Sequence, residues 1–264
     1  MTDRTKTRSR RKMTENHSQN GYTLIEMVMV LVIIGIIATV GLNSLTAVNQ
    51  TNRFEKTRAE VDRLAAAIVG DASLVSGGVR TDFGYVGDVG SLPPNLDALI
   101  TNPGGYTTWN GPYHDDEFSV DGSSASFKLD AWGRAYAYSG GTTITSTGGT
   151  TTLTRNLAVS PDDLLHNAIT VVVYDLDYTP PGTTYRDSLR VVLSYPDGTG
   201  GVTTSSVTPH SDGSALFDSI PIGIHLLRVV YIPTADTLQR KIVVNVGQDS
   251  YTEISLADTL WSGS

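Results

Sequence analysis

Residues 21–42 read GYTLIEMVMVLVIIGIIATVGL, and this stretch decides how the rest of the chain is organised. Glu26 is its only charged residue, so a helix of this sequence is apolar around almost its whole circumference. A helix needs about 20 such residues to cross about 30 Å of hydrocarbon. Six basic residues precede the run, which predicts a single membrane span with a cytoplasmic N-terminus. Those residues are Arg4, Lys6, Arg8, Arg10, Arg11 and Lys12.

Two common kinds of apolar N-terminal segment leave part of this pattern unexplained. A cleaved signal peptide has an apolar stretch of about 7–15 residues that ends at small residues, whereas Gly21 precedes the run here. A plain signal anchor explains the hydrophobicity and the flanking charge but not Glu26. A carboxylate in an apolar span costs about 2.5–3.5 kcal/mol on insertion scales, so its presence calls for a partner.

Residues 21–26 (GYTLIE), followed by an apolar run, resemble the prepilin processing motif of type IV pilins and type II secretion pseudopilins. The resemblance implies that a prepilin peptidase cleaves after Gly21 and that Tyr22 becomes the N-methylated mature terminus. It also implies that Glu26 acts in filament assembly. The physical chemistry agrees, because cleavage creates an ammonium group that the carboxylate of a neighbouring subunit neutralises. Each charge is expensive alone in an apolar setting and tolerable as a pair.

Helical spacing continues beyond the apolar run. Residues 22–92 contain no proline, and from Phe54 onward apolar residues recur at helical intervals while charges occupy the other faces. We therefore expect one helix from residue 22 to about residue 75. Its first half is apolar all round and its second half is amphipathic, which is the architecture of a pilin. The sequence leaves open whether this helix kinks near Asn43.

Three motifs follow the long helix: LPPNLDAL at 92–99, WNGPY at 109–113 and DAWGRAYAY at 130–138. In this order they resemble the head of the major pseudopilin of type II secretion, and the resemblance covers roughly residues 21–150. It implies a small α/β-β head packed on the amphipathic half of the helix. The aromatic residues expected to form the core there, rather than a binding site, are Trp109, Trp132, Tyr136 and Tyr138.

Calcium is the one metal that the resemblance brings into question. Members of that family often bind calcium in the loop after the WGxxYxY strand, through aspartates and backbone oxygens. The matching loop after Tyr138, residues 139–154, reads SGGTTITSTGGTTTLT and holds no carboxylate, although calcium sites usually include charged oxygens. No cofactor is therefore expected; calcium stays possible, although this loop does not support it. An earlier acidic cluster is interpreted as a solvated loop: Asp115, Asp116, Glu117 and Asp121.

The C-terminal third changes character. Residues 139–167 are rich in Gly, Thr and Ser and are predicted to be a linker, and strand-like runs separated by turn signals predict a β-sandwich over 168–258. Residues 211–229 resemble the carboxypeptidase regulatory-like (transthyretin-like) sandwich, which names a fold and not an activity. The predicted strands are 169–176, 189–195, 202–207, 215–217, 224–231, 242–246 and 251–256.

Composition excludes several classes of function. The full chain has a net charge of −8 and its leader is basic, so the remainder is more acidic still and is a poor partner for nucleic acid. Cysteine is absent, which excludes disulfides and thiolate chemistry. The histidines are scattered, and neither an HExxH pair nor a GxSxG elbow occurs. We therefore expect no enzymatic activity.

The predicted fold class is α+β, with a long N-terminal pilin helix on a small head, followed by an all-β sandwich. The predicted divisions are a leader (1–21), a transmembrane assembly helix (22–42), a head (43–138), a linker (139–167), the sandwich (168–258) and a tail (259–264). The implied function is a structural subunit of a type II secretion pseudopilus in the inner membrane, with its globular part outside the cytoplasm. Its partners would be itself, other pseudopilins or pilins, prepilin peptidase and the inner-membrane assembly platform.

Two other interpretations stay open. The chain is alternatively a type IV pilus subunit, major or minor, whose sandwich serves adhesion or ligand binding, since a minimal major pseudopilin lacks that domain. A third interpretation is a simple membrane-anchored β-domain with no role in assembly. In that case the leader would remain attached to the mature protein.

Overall fold

The computed structural model describes residues 21–115 and 126–261, and for residues 40–44 it describes the backbone alone. The basic leader and all of the predicted acidic cluster except Asp115 lie outside the described residues. The chain divides into two compact units, residues 1–49 and residues 50–264. The head and the sandwich therefore fall within one compact unit, although composition suggested that a linker separates them.

Four helices and eleven strands make up the described chain. The helices are α1 (Leu24–Val69), α2 (Gly84–Val89), α3 (Asp162–Leu165) and α4 (Gly182–Tyr185). The strands are β1 (Val75–Ser76), β2 (Val79–Arg80), β3 (Thr143–Ser146), β4 (Leu153–Asn156), β5 (Asn167–Tyr174), β6 (Leu189–Pro196), β7 (Val202–Val207), β8 (Ser214–Ile220), β9 (Gly223–Tyr231), β10 (Asp236–Val244) and β11 (Ser250–Ser255). Short 3₁₀ turns occupy Leu96–Leu99, Ser126–Lys128 and Arg186–Ser188.

The first unit contains the N-terminal part of α1. Its described side chains are exposed all round in the isolated chain, as they are at Leu24, which is 84% exposed. Thr39 donates its hydroxyl hydrogen to the Gly35 carbonyl at 2.8 Å, so the one described hydroxyl inside the apolar run is satisfied within the helix. Among the residues that the structure describes, no helix combines the length and the apolar character that crossing a membrane requires.

The long helix ends earlier than its periodicity predicted. It stops at Val69 instead of near residue 75, because Gly70 adopts a φ of +82° and its N–H still bonds back to the Ala66 carbonyl at 2.7 Å. That left-handed conformation is the usual C-terminal stop of a helix, and it favours glycine. A Cβ at this position would also lie 2.5 Å from the Cα of Phe83, so the close approach of the following turn needs glycine too.

In the second unit the head is built on residues 50–69 of α1. Val61, Leu64 and Ile68 are buried against α2, the 92–99 motif and strand β3. The prediction that the aromatic motif residues form this core is confirmed for three of the four, because Tyr136 is buried and Trp109 and Tyr138 pack against the cluster. Trp132 differs, since it lies outside the cluster and donates its indole N–H to the Gln50 side chain at 2.9 Å.

The predicted linker at 139–167 is instead an ordered part of the head. It contains the antiparallel hairpin β3–β4 and the helix α3. Ile144 in β3 and Leu164 in α3 are both fully buried in the head core. The composition was misleading because the hairpin contributes only a few apolar side chains to the core, such as Ile144 and Leu153, within a run of threonine, serine and glycine.

The seven strands predicted for residues 168–258 are confirmed as β5 to β11, and they form the predicted sandwich. One sheet has the order β10-β9-β6-β7 and the other β11-β5-β8, with β11 parallel to β5 and the other neighbours antiparallel. Alternate residues of the two sheets face inward, so Val171, Leu193 and Leu227 are buried in one apolar core. The main departure is β10, which begins at Asp236 and is longer than predicted.

The sandwich packs directly on the head within this second unit. Ile222, in the turn between β8 and β9, is 0% exposed and belongs to the core of the head. Its backbone N–H donates to the Leu164 carbonyl at 2.8 Å, and the Gly198 N–H donates to the Val89 carbonyl at 2.9 Å. Gly90 has a φ of +80°, and a Cβ there would lie 2.6 Å from the carbonyl oxygen of Pro196. The two parts therefore share a core and a backbone hydrogen-bond network.

Candidate functional site

The candidate processing and assembly site is the segment Gly21 to Glu26, which leads into α1. Residues 21–23 are not helical, and Thr23 caps the helix, because its hydroxyl oxygen accepts the Glu26 N–H at 3.3 Å and its carbonyl accepts the Met27 N–H at 3.1 Å. Nothing lies within 4 Å of a notional Cβ on Gly21, and Tyr22 is 78% exposed. The peptide bond between them is therefore sterically open.

Glu26 lies in the first turn of α1, where unpaired N–H groups give the helix end a partial positive charge. That end favours a carboxylate and disfavours an ammonium group. Cleavage after Gly21 would place a new ammonium group only two residues before the helix. None of the described residues forms an ion pair or hydrogen bond with the Glu26 carboxylate.

The side chains that follow Glu26 give this segment an apolar surface. Contiguous exposed apolar area of this kind requires lipid or other helices around it. The exposed side chains of the described run include Met27, Val28, Met29, Val30, Leu31, Val32, Ile33, Ile34, Ile36 and Ile37. The acidic group and the apolar surface together make the segment suited to packing among like helices.

The aromatic motifs of the head pack against one another and are joined by hydrogen bonds. Trp109 donates its indole N–H to the Ala98 carbonyl at 2.9 Å, and its ring meets Tyr113 edge-on at 5.6 Å. Tyr113 donates its hydroxyl hydrogen to Asp88 at 2.9 Å, and Tyr138 donates to the Pro93 carbonyl at 3.0 Å. Burial raises the pKa of both tyrosines and of Asp88. The three motifs thus form one packed and hydrogen-bonded network.

Comparisons with known proteins agree with this geometry. Residues 16–42 match the Prokaryotic N-terminal methylation motif. Over 127 residues the chain is 27% identical to the Type II secretion system core protein G of Xanthomonas campestris pv. campestris, a match that covers 44% of this chain and 79% of that protein. Together these two matches support a type IV prepilin-like chain of the pseudopilin kind.

One solved structure is also similar in part. The Bacillus anthracis TIE protein aligns at 15% sequence identity with a TM-score of 0.29. The alignment covers 46% of this chain and 24% of that protein. A TM-score this low carries no argument about the fold or the function.

Asp130 is a residue of this chain whose role the sequence did not reveal. It is 4% exposed, and its Oδ1 accepts the backbone N–H groups of Trp132 at 3.0 Å and Arg134 at 2.9 Å. Its Oδ2 accepts the hydroxyl of Ser146 at 2.7 Å and the N–H of Gly148 at 3.0 Å. The aspartate at the start of a Trp-Gly turn was the available signal, because aspartates often accept backbone N–H groups in such turns.

The residues after Tyr138 do not fit the calcium site that a pseudopilin head suggests. The loop supplies hydroxyl and backbone oxygens but no carboxylate, and the one nearby buried acid, Asp130, is already occupied by four donors. Within residues 21–115 and 126–261, no three histidine, aspartate or glutamate side chains gather as metal ligands would.

Proposed function

We propose that this chain is a structural subunit of a type II secretion pseudopilus, and that it supports protein export by polymerising through its N-terminal helix. The observation that carries the proposal is the combination of the methylation motif with a match to core protein G that extends well beyond that motif. A shared N-terminal motif alone would support any type IV prepilin-like protein. The head motifs add the preference for a pseudopilin.

The proposed processing follows from the open geometry at the helix start. A prepilin peptidase cleaves after Gly21, and the exposed Tyr22 becomes the N-methylated terminus. Residues 22–42 then anchor the chain in the inner membrane, with the N-terminus on the cytoplasmic side and the globular part outside. The apolar run and the six basic residues of the leader support this topology.

The proposed assembly rests on the charge pair at the helix start. The Glu26 carboxylate accepts a hydrogen bond from the terminal ammonium group of a neighbouring subunit, either another copy of this chain or another pseudopilin. In an apolar bundle of helices the two charges are retained only as a pair. The inner-membrane assembly platform is the further partner that such a subunit needs, and the role is structural rather than catalytic.

The mature N-terminus provides the direct test. Mass spectrometry of the chain purified from membranes is expected to find Tyr22 as the first residue, carrying one methyl group. A Gly21→Val variant should retain the leader, since a branched side chain then stands at the open bond. The matched control is Gly35→Ala, which lies in the same apolar segment with equally free space. A wild-type chain that still begins before Gly21 would overturn the processing proposal.

The second candidate is a type IV pilus subunit whose sandwich binds a surface or ligand. The observations that favour it are the 44% coverage of the chain by the core protein G match, and exposed apolar side chains such as Tyr178, Leu216 and Tyr251 on the sandwich. A deletion strain separates the two candidates. The pseudopilus proposal expects secreted proteins to be retained in the cell, whereas loss of surface fibres with normal secretion favours the pilus.

A further inference from the structure

We propose that the loop at residues 139–156 is fixed to the head by the Asp130 carboxylate and a short β-hairpin, and that calcium does not contribute to its order. The proposal concerns the head alone and does not depend on which filament the subunit joins. It departs from what the resemblance to pseudopilin heads implies, and it explains how a loop without carboxylates is held in a defined position.

The first support is the saturation of Asp130. Each carboxylate oxygen faces two donors, at distances from 2.7 to 3.0 Å. A cation beside those oxygens would meet the positive ends of the N–H and O–H dipoles that already point at them. Hydrogen bonds to an ionised acceptor are among the stronger ones in proteins, so the four donors neutralise the buried charge without a metal.

The second support is that the four donors come from two separate segments. The N–H groups of Trp132 and Arg134 belong to the turn that starts at Asp130, whereas Ser146 and Gly148 belong to the loop. One carboxylate therefore ties the loop to the turn, which is the connection that a shared cation would otherwise provide.

The third support is the hairpin inside the loop. Strand β3 pairs with β4 over four residue pairs, and Thr145 exchanges backbone hydrogen bonds with Ala137 at 2.8 and 3.1 Å. Ile144 is fully buried in the head core. The N–H of Leu157 donates to the Thr142 carbonyl at 2.8 Å and closes the base of the hairpin. Backbone pairing and one apolar anchor thus fix the segment at both ends.

The glycines of the loop fit this arrangement closely. A Cβ on Gly148 would collide with the Asp130 carboxylate, and a Cβ on Gly149 would lie 2.9 Å from the Trp132 ring. Gly148 therefore lets the loop backbone come close enough to Asp130 for its N–H to donate at 3.0 Å, and Gly149 lets the backbone pass close to the Trp132 ring. A loop that wrapped a cation would need oxygen atoms, not backbone N–H, directed to the same point.

Hydrogen–deuterium exchange of the full-length chain in detergent micelles tests the proposal, because it reports order segment by segment. The chain is compared in excess calcium chloride and in excess EGTA. We expect peptides covering residues 139–156 to exchange at the same rate in both buffers. Slower exchange of those peptides in calcium would overturn the proposal.

The variant Asp130→Asn tests the carboxylate, and Asp212→Asn is the matched control, since Asp212 accepts the N–H and hydroxyl of Ser214 in an exposed turn. Asp130→Asn should accelerate exchange at residues 139–156 and lower the melting temperature by roughly 6–12 °C, equally with and without calcium. If that variant does not fold, Ser146→Ala should give a smaller acceleration confined to the loop. An effect of either variant that appears only in calcium would contradict the proposal.

Discussion

Ile222 provides a quantitative test of the joint core of head and sandwich. The side chain is 0% exposed and packs in the head core, although it lies in a turn of the sandwich. Ile222→Ala removes three methyl or methylene groups from a closed site, and such truncations lower the free energy of unfolding by about 2–5 kcal/mol. The backbone bond from residue 222 to Leu164 survives the change, so the loss should come from packing alone. Ile232→Ala, at a side chain that is 48% exposed, is the matched control and should lower stability by less than about 1 kcal/mol.

The assay must report on the two parts separately. Trp261 is buried in the sandwich core and Trp109 packs on the head core, so variants that retain a single tryptophan allow fluorescence to follow each part during urea unfolding. A shared core predicts coincident transitions, and Ile222→Ala should move both midpoints by the same amount. Separate transitions in the parent chain, or an Ile222→Ala effect confined to Trp261, would refute the reasoning.

Three further predictions concern charge. Glu26→Gln should leave membrane insertion intact but weaken subunit association on the order of 10²- to 10⁴-fold, because breaking a buried ion pair costs about 3–5 kcal/mol. Glu55→Gln is the control, and filament yield after crosslinking is the measurement. Burial lowers the pKa of His225 from its ordinary value of 6.5, so the folded state favours the neutral imidazole and the free energy of unfolding should fall as the pH drops below 6.5. In a His225→Gln variant, the free energy of unfolding should depend less on pH in that acidic range. The carboxylate of Glu60 lies 3.2 Å from the His114 ring and raises the pKa of that histidine, so the pair stabilises the head fully below pH 6.5 and this stabilisation is lost as the pH rises through the raised pKa. Glu60→Gln should therefore reduce the melting temperature more at pH 6 than at pH 9.

The sandwich strands could be predicted because the residue pattern within each strand indicates which of its side chains are buried. In β6 the residues Val191 and Leu193 face inward while Arg190 and Ser194 face outward, and that two-residue period is visible in the sequence. Turn residues such as Gly213 then mark where one strand ends and the next begins. The hydrophobic pattern and the turn residues agree along the sandwich, so few predicted strand ends differ from the observed ones by more than a few residues.

The hairpin at residues 143–156 could not be predicted on the same grounds. The inward face of β3 consists of Ile144 and Ser146, and the serine is buried only because Asp130 accepts its hydroxyl. A buried polar residue with a partner 16 positions away does not appear in any hydrophobic pattern. The end of α1 was mispredicted for another reason. Gly70 is a recognisable helix stop, but apolar residues continue at helical spacing beyond it and suggested a longer helix.

The site divides in a similar way. Gly21, Tyr22 and Glu26 were found from a local motif, and the structure adds the Thr23 cap that sets where the helix begins. The proposed partner of Glu26 is the terminal ammonium group of another chain, so neither the sequence nor one folded chain contains it. That is why filament yield, rather than stability of the isolated subunit, is the informative measurement for Glu26.

The attachment of the sandwich also bears on copy number. Because the Ile222 side chain and the Gly198 N–H connect the sandwich to the head, it cannot turn away on a flexible linker to relieve crowding between neighbours. Every subunit in a helical filament occupies an equivalent position. A sandwich that is fixed to the head must therefore fit at every position of the filament, or else the chain occupies only a few positions. We therefore expect this chain to be a low-copy subunit beside a smaller major pseudopilin. Quantitative mass spectrometry of purified filaments measures the ratio directly, and an excess of this chain over every other pseudopilin would contradict the expectation.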